Sequence, residues 1–246
     1  MAFKFIYSRS SKTQIFKFLL PAICSFFLIL TYFLSTFAAN ALKEKKEVAI
    51  KPSPPTVIID AGHGGFDGGA VVGEIFEKDI NLAIANALSD MLKLSGIRVI
   101  NTRTDDTSTE SDASLSIANR KRSDLRNRLY LANGTPEAIL ISIHQNKFSS
   151  PSAKGAQIFY GNKSDKSALI AESIRKNIVS LIQSENKRAL KKATKDVFLL
   201  YNSEIPAVIV ECGFMSNEAE LKKLLNKDYQ SKMAFAIFCG ILEYIS

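Results

Sequence analysis

The sequence predicts an α/β sandwich: a single three-layer domain over residues 56–246, with one about six-stranded, mainly parallel sheet and helices on both faces. Three observations carry this. From Thr56 onward, short β-branched runs alternate with amphipathic stretches. Several of the runs are apolar nearly throughout, as strands covered on both faces are. An apolar content of 46% with 23% charged residues is that of a chain that builds a packed core.

The N-terminus stands apart from this domain. Lys4, Arg9, Lys12 and Lys17 precede the uncharged stretch Phe18–Ala41, which ends in Ala39-Asn40-Ala41, a small-x-small pattern of signal-peptidase cleavage. Residues 1–41 therefore read as a signal peptide or, since the stretch is long enough to cross a bilayer, as an uncleaved N-terminal membrane anchor. Lysines on its inner flank orient either version with the remainder outside, so the expected location is extracytoplasmic. Residues 42–55 follow as a charged, Pro-bearing linker.

The strands are expected at Thr56–Asp60, Arg98–Arg103, Ile139–His144, Ala156–Tyr160, Val197–Tyr201 and Ala207–Cys212. Between them, Ile80, Ala83, Ile84, Ala87, Leu88, Met91 and Leu92 follow helical spacing, with Gly96 as a C-terminal stop. Residues 117–133, 165–184, 217–225 and 228–245 read as helices in the same way. No internal repeat and no second folded domain are seen. Of the three cysteines, Cys24 lies in the targeting segment, and Cys212 and Cys239 read as buried packers, not as a disulfide or a metal site.

The net charge of +8 excludes less than its size suggests. Residues 1–51 carry eight basic and two acidic residues, whereas the remaining 195 carry 24 basic and 22 acidic. The folded part is nearly neutral, which argues against nucleic-acid binding. Two basic groups remain, one at Arg120, Lys121, Arg122, Arg126 and Arg128, the other at Lys187, Arg188, Lys191, Lys192 and Lys195. Each reads first as a solvated face, and alternatively as a contact for the carboxylates of a ligand or for an acidic partner.

The chemistry centres on the chain's two histidines, which both fall at the carboxyl ends of expected strands. His63 follows the first strand in DAGHGG, and His144 ends ILISIH. Ligands bind at that edge of open α/β sheets. A catalytic metal site needs a third protein ligand. Glu77 opens the first helix on the same rim, but Glu74, Asp67 and Asp79 compete with it on position, and a helix dipole alone explains an acid there. Glu211 is an acid at the end of the apolar strand AVIVEC, costly unless paired or liganded. It reads as the general base and acid, with a buried ion pair to an arginine such as Arg128 as the alternative.

The strings VIIDAGHGGFDGGA, EKDINLAIANAL, ILISIHQN and PAVIVECGFMSN, in this order and spacing, resemble the zinc-dependent N-acetylmuramoyl-L-alanine amidase family, amidase 3 type. The resemblance runs from about Val57 to the C-terminus. It implies a Zn2+ ion held by His63, Glu77 and His144, with Glu211 as the catalytic glutamate, and cleavage of the amide between N-acetylmuramic acid and L-alanine in peptidoglycan. DLRNRLYLAN, GAQIFY and KRALKKATKDVFLLYN are similar to the germination-specific, spore-cortex branch. Members of that branch strip stem peptides so that a partner deacetylase completes muramic-δ-lactam. Regulated septal members carry a plugging helix after the SIH strand, for which this sequence leaves little room, so control is expected from an activating partner protein or timed expression. The rival readings are a zinc peptidase acting within stem peptides and a catalytically silent wall-binding protein.

Overall fold

The structure, a computed structural model, describes residues 11–46 and 54–246. Lys4 and Arg9 of the targeting segment and residues 47–53 of the linker lie outside the described residues. The chain divides into two units, Met1–Ser53 and Pro54–Ser246.

The first unit holds helix α1 (Ser11–Lys46). Its stretch Pro21–Asn40 has a mean hydropathy of 2.0 and is the one helix among the described residues long and apolar enough to cross a membrane. Phe26, Leu28, Phe33 and Phe37 are exposed. The helix includes Leu42–Lys46, which the sequence assigned to the linker. Lys and Glu are good helix formers.

In the second unit β1 (Thr56–Ala61) leads through a small hairpin, β2 (Val71–Val72) and β3 (Ile75–Phe76), into α2 (Glu77–Leu94) and β4 (Val99–Asn101). Then follow α3 (Ile117–Asn133), β5 (Ala138–Asn146), β6 (Gln157–Tyr160), α4 (Lys166–Leu181) and β7 (Lys191–Lys192). The chain closes with α5 (Phe198–Asn202), β8 (Ala207–Phe214), α6 (Glu218–Leu224) and α7 (Lys227–Ile245). Residues 147–156, between β5 and β6, contain no helix.

The main sheet has six strands in the order β4-β1-β5-β8-β6-β7. The first four run parallel, and β6 pairs antiparallel with β8. The carboxyl ends of β1, β5 and β8 therefore share one edge with the beginning of β6. Side chains alternate across the sheet. Val57, Ile59, Ile141, Ile143, Val208 and Val210 face one way, onto Ile84 and Leu88 of α2, Ile170 and Ile174 of α4 and Ile237 of α7. Ile58, Leu140 and Ile209 face the other, onto Leu129 and Ala132 of α3 and Leu199 and Leu200 of α5. This double cover is why the central strands read as apolar throughout. Truncating a fully buried side chain such as Leu88 to alanine costs about 2–5 kcal/mol.

One expected strand is a helix. Val197–Tyr201, expected as the fifth strand, lies instead at α5 (Phe198–Asn202), which buries Leu199 and Leu200 beside α3. A short apolar run has the same composition in either state, and here packing decides. The sixth place in the sheet goes to β7, two exposed lysines held to β6 by backbone pairing. Such an edge strand has no apolar pattern to read, and its lysines discourage further strand addition.

Candidate active site

The site grows from the turn after β1. There His63 takes a left-handed backbone, with φ +61°, that a histidine adopts at a cost of about 1–3 kcal/mol. The turn is closed by reciprocal backbone bonds between Gly64 and Asp67, and two arginines grip its three preceding carbonyls. The Ala61 carbonyl accepts from Arg103 Nε and Arg128 Nη1, each at 2.9 Å. Gly62 accepts from Arg103 Nη2 and Asn81 Nδ2, both at 3.1 Å. The His63 carbonyl accepts from Arg128 Nη2 at 2.7 Å.

Arg128 is itself buried, pairing with Asp60 through Nη1 and with Asp124 through Nε at 2.8 Å. Burial alone would raise the Asp60 carboxyl, but Arg128, with Ser142 and Thr102 as donors, holds it down to about 2. Arg128 thus does not neutralise Glu211, and the ion-pair alternative for Glu211 is not what forms. Nor is the first basic group simply a solvated face. Lys121 pairs with Asp67 at 2.9 Å, and Arg120 lies 3.9 Å from the Phe66 ring centroid. Sequence reading missed this clamp, although Asp124 and Arg128 at i, i+4 on one helix were a local sign of it.

Glu77 is the first residue of α2, buried to 4% exposure. Its Oε2 accepts from the Ala70 backbone at 2.8 Å and lies 3.2 Å from His63 Nε2. Its Oε1 accepts from the Gln145 backbone at 3.1 Å and lies 2.9 Å from His144 Nδ1. A Cβ on Gly69, where φ is +69°, would fall 2.6 Å from Glu77 Oε2, so only glycine lets the loop come this close. His144, at the end of β5, needs the same allowance: a Cβ on Gly62 would strike its ring at 2.2 Å.

The donor atoms of His63, Glu77 and His144 all lie within 4.8 Å of one another, a grouping that can hold a metal ion. The competing acids separate cleanly. Glu74 and Asp79 are exposed, whereas Asp67 Oδ2 sits 2.8 Å from His63 Nδ1 and leaves Nε2 to face Glu77. A carboxylate behind a ligating imidazole is the usual means of fixing its ring and tautomer. Burial disfavours the charged form of His63, but bonding to Asp67 and Glu77 outweighs it and pushes its pKa up to about 9. Burial likewise opposes ionisation of Glu77, and the two histidines hold it far below the carboxylate range. The pull that such a set exerts on a proton it also exerts on a cation, so the residues fit a divalent metal with imidazole and carboxylate donors.

Glu211 of β8 is in register with His144 of β5, so the two side chains leave the sheet on the same face. Burial pushes the Glu211 carboxyl up to about 7; the charges on His144 and His63 oppose this and that on Glu77 adds to it. Its Oε2 is buried without a hydrogen-bond partner. A cavity of about 300 Å³ opens over His63 and His144, walled by α3 and by residues 196–199. Cys212 points the other way, fully buried in the core, and all three cysteines are free.

Residues 57–243 match the N-acetylmuramoyl-L-alanine amidase family (Amidase_3). The chain belongs to that family. Over 227 residues, 92% of this amidase and 94% of its relative, it is 34% identical to the germination-specific N-acetylmuramoyl-L-alanine amidase of Bacillus subtilis. Among solved structures, the amidase resembles the CwlD amidase of Clostridioides difficile, solved in complex with the GerS lipoprotein, with a TM-score of 0.73 and 37% identity. That match covers 77% of this chain and 98% of the other. The catalytic domain of CwlV from Bacillus (Paenibacillus) polymyxa matches at a TM-score of 0.66 and 29% identity, over 78% of this amidase and 99% of that domain. The amidase thus has its sheet, its strand-end histidines and its family in agreement.

Proposed function

We propose that this amidase hydrolyses the amide between N-acetylmuramic acid and L-alanine, using a zinc ion held by His63, Glu77 and His144 and a proton carried by Glu211. The observation that carries the reading is the convergence of three metal-type donors within 4.8 Å, beside a buried carboxylate in register with one of them. When bound, zinc supplies Lewis acidity, polarising a carbonyl oxygen and making water a better acid.

The protein's own groups account for the rest of the reaction. Glu211, with a pKa near 7, can take a proton from the attacking water at neutral pH. As water adds to the carbonyl carbon and the carbon–nitrogen bond breaks, the same carboxyl returns that proton to the departing amine of L-alanine. Asp67 holds His63 with Nδ1 engaged, and Asp60 with Arg128 holds the turn beneath it. Substituting Glu211→Gln is expected to leave zinc bound while abolishing cleavage of muropeptides. Near-normal activity in that variant would sink the assignment.

The biological setting we infer is removal of stem peptides during spore-cortex maturation, outside the cytoplasmic membrane, supported by 34% identity to the germination-specific relative. A partner protein is expected to regulate it, as the complex of the Clostridioides difficile relative with a lipoprotein suggests. A deacetylase acting on the stripped muramic acid is expected downstream. Mass analysis of digested peptidoglycan tests the bond cleaved. Free peptides beginning at L-alanine support the amidase; shortened peptides still on glycan would replace it with a peptidase.

A further inference from the structure

Two members of the second basic group, Lys187 and Arg188, line a cavity near the start of β6, whereas Lys191 and Lys192 pair with its far end. Arg188, between α4 and β7, lies with its guanidinium 4.5 Å from the Phe214 ring centroid. Its Nε donates to the Lys154 carbonyl at 2.8 Å, and Nη1 approaches Gln157 Oε1 at 3.4 Å. Gln157 is fixed in turn by its Nε2, which donates to the Ala189 carbonyl at 2.6 Å. A guanidinium stacked and bonded in this way is oriented before any ligand arrives.

No acid answers that charge. Among the described residues, Arg188 makes no ion pair, and neither do Lys154, Lys187 and Lys223, which line the same cavity of about 630 Å³. Two acids also line it. Glu220 is occupied, its two oxygens accepting from the backbones of Gly155 at 2.8 Å and Phe214 at 2.9 Å, and Glu185 is exposed. The cavity therefore offers unpaired positive charge to whatever enters it.

Its distance from the reacting bond suits a short peptide. Gln157 pairs directly with Glu211 across β6 and β8, so their side chains share a face with Cβ atoms about 5 Å apart. Arg188 reaches the far end of the Gln157 side chain. An extended peptide advances about 3.4 Å per residue, so its second or third residue past a bond cut at Glu211 arrives beside Arg188. We propose that Arg188 and the cavity behind it seat the free carboxylates of the stem peptide, at the second and third residues beyond the cleaved amide. The proposal rests on the amidase reading. The seat is concave, and Arg188 on its wall reaches Gln157, the pair partner of Glu211, which favours a substrate peptide over an acidic surface of a folded partner.

Calorimetry on the full chain tests the seat directly, with L-Ala–γ-D-Glu–diaminopimelate and the same tripeptide with its carboxylates amidated as probes. The free acid is expected to bind about tenfold more tightly. Arg188→Gln is expected to abolish the difference, and Arg188→Lys to restore part of it. Because Arg188 also braces Phe214, a triple Lys154→Gln, Lys187→Gln, Lys223→Gln variant, altered only at exposed lysines, provides a second measure and is expected to weaken the free acid several-fold. With a muramoyl-tripeptide, Arg188→Gln should raise KM about tenfold and leave kcat nearly unchanged. Equal binding of both probes by the wild type would overturn the seat, as would an Arg188→Gln protein that keeps the preference. Unchanged peptide binding in every variant, with loss only of a partner protein, would overturn it in favour of a protein-docking role. Cleavage is scored separately: failure of the wild type to cut muropeptides removes the amidase reading, whereas cutting without carboxylate preference removes the seat alone.

Discussion

Arg128 Nη2 donates to the His63 carbonyl at 2.7 Å, and in doing so holds a metal-type ligand in a backbone conformation it would not choose. The same guanidinium pairs with both Asp60 and Asp124, so one side chain joins the sheet, α3 and the turn that presents His63. Removing it leaves two buried carboxylates unpaired. Arg128→Met is expected to destabilise the domain by about 3–5 kcal/mol and to loosen the metal. Denaturant unfolding and chelator competition measure the two effects; a variant with unchanged midpoint and zinc affinity would refute the clamp.

Gly62→Ala tests the close approach under His144. The added Cβ would sit 2.2 Å from the imidazole, which must swing away from Glu77. Zinc affinity is expected to fall by at least about tenfold. Gly62 is not among the glycines with positive φ, so the effect there is steric; Gly73→Ala, with φ +60° but a Cβ that would meet nothing within 4 Å, is expected to leave zinc affinity unchanged.

Asp67→Asn keeps the shape of the group behind His63 and removes its charge. Chelator titration is expected to show zinc held about 10–100-fold more weakly, the range typical for partners of ligating histidines. Equal affinity would mean that Asp67 is there for Lys121 alone.

Glu211 makes a prediction with a definite sign. Its carboxyl rises from an ordinary 4.5 to about 7 on folding, so the folded state binds the extra proton between those values and stability falls as pH rises through that window. In chelator-treated protein, Glu211→Gln should therefore match the wild type below pH 4.5 and gain on it up to neutral pH. A shift from 4.5 to about 7 corresponds to an advantage of about 3 kcal/mol. Urea midpoints taken across pH 4–8 measure this, and a constant difference would contradict it.

Stripping the metal with a chelator should abolish activity and leave the far-ultraviolet circular dichroism unchanged. Glu77, His63 and the turn already have hydrogen-bond partners of their own. Zinc at a thousand times its Kd adds about 4 kcal/mol of stability by mass action, which a thermal scan with and without chelator would register.

Much of this was legible in the residues. Strand-end placement pointed to His63 and His144, and an acid in the apolar run of β8 pointed to Glu211. On position alone Glu77 is not separable from Asp67, and it is the family resemblance that singles it out; three-dimensional distance then tells the candidate ligand from the carboxylate behind His63. Val197–Tyr201 misled because a five-residue apolar run has no period long enough to distinguish strand from helix. The β2–β3 hairpin and β7 escaped because two-residue strands exist through backbone pairing and carry no side-chain pattern. The arginine clamp escaped because Arg128 reads as a member of a basic helix face or as a buried partner of Glu211, whereas its partner Asp60 lies 68 residues earlier.

The two arginines that grip Ala61, Gly62 and His63 have a consequence for the protein's life history. Since protein atoms hold the turn, assembly of the fold and acquisition of the metal become separate events. On the proposed metal-dependent mechanism the folded chain stays inert until a divalent cation binds, so folding and arming can take place at different times.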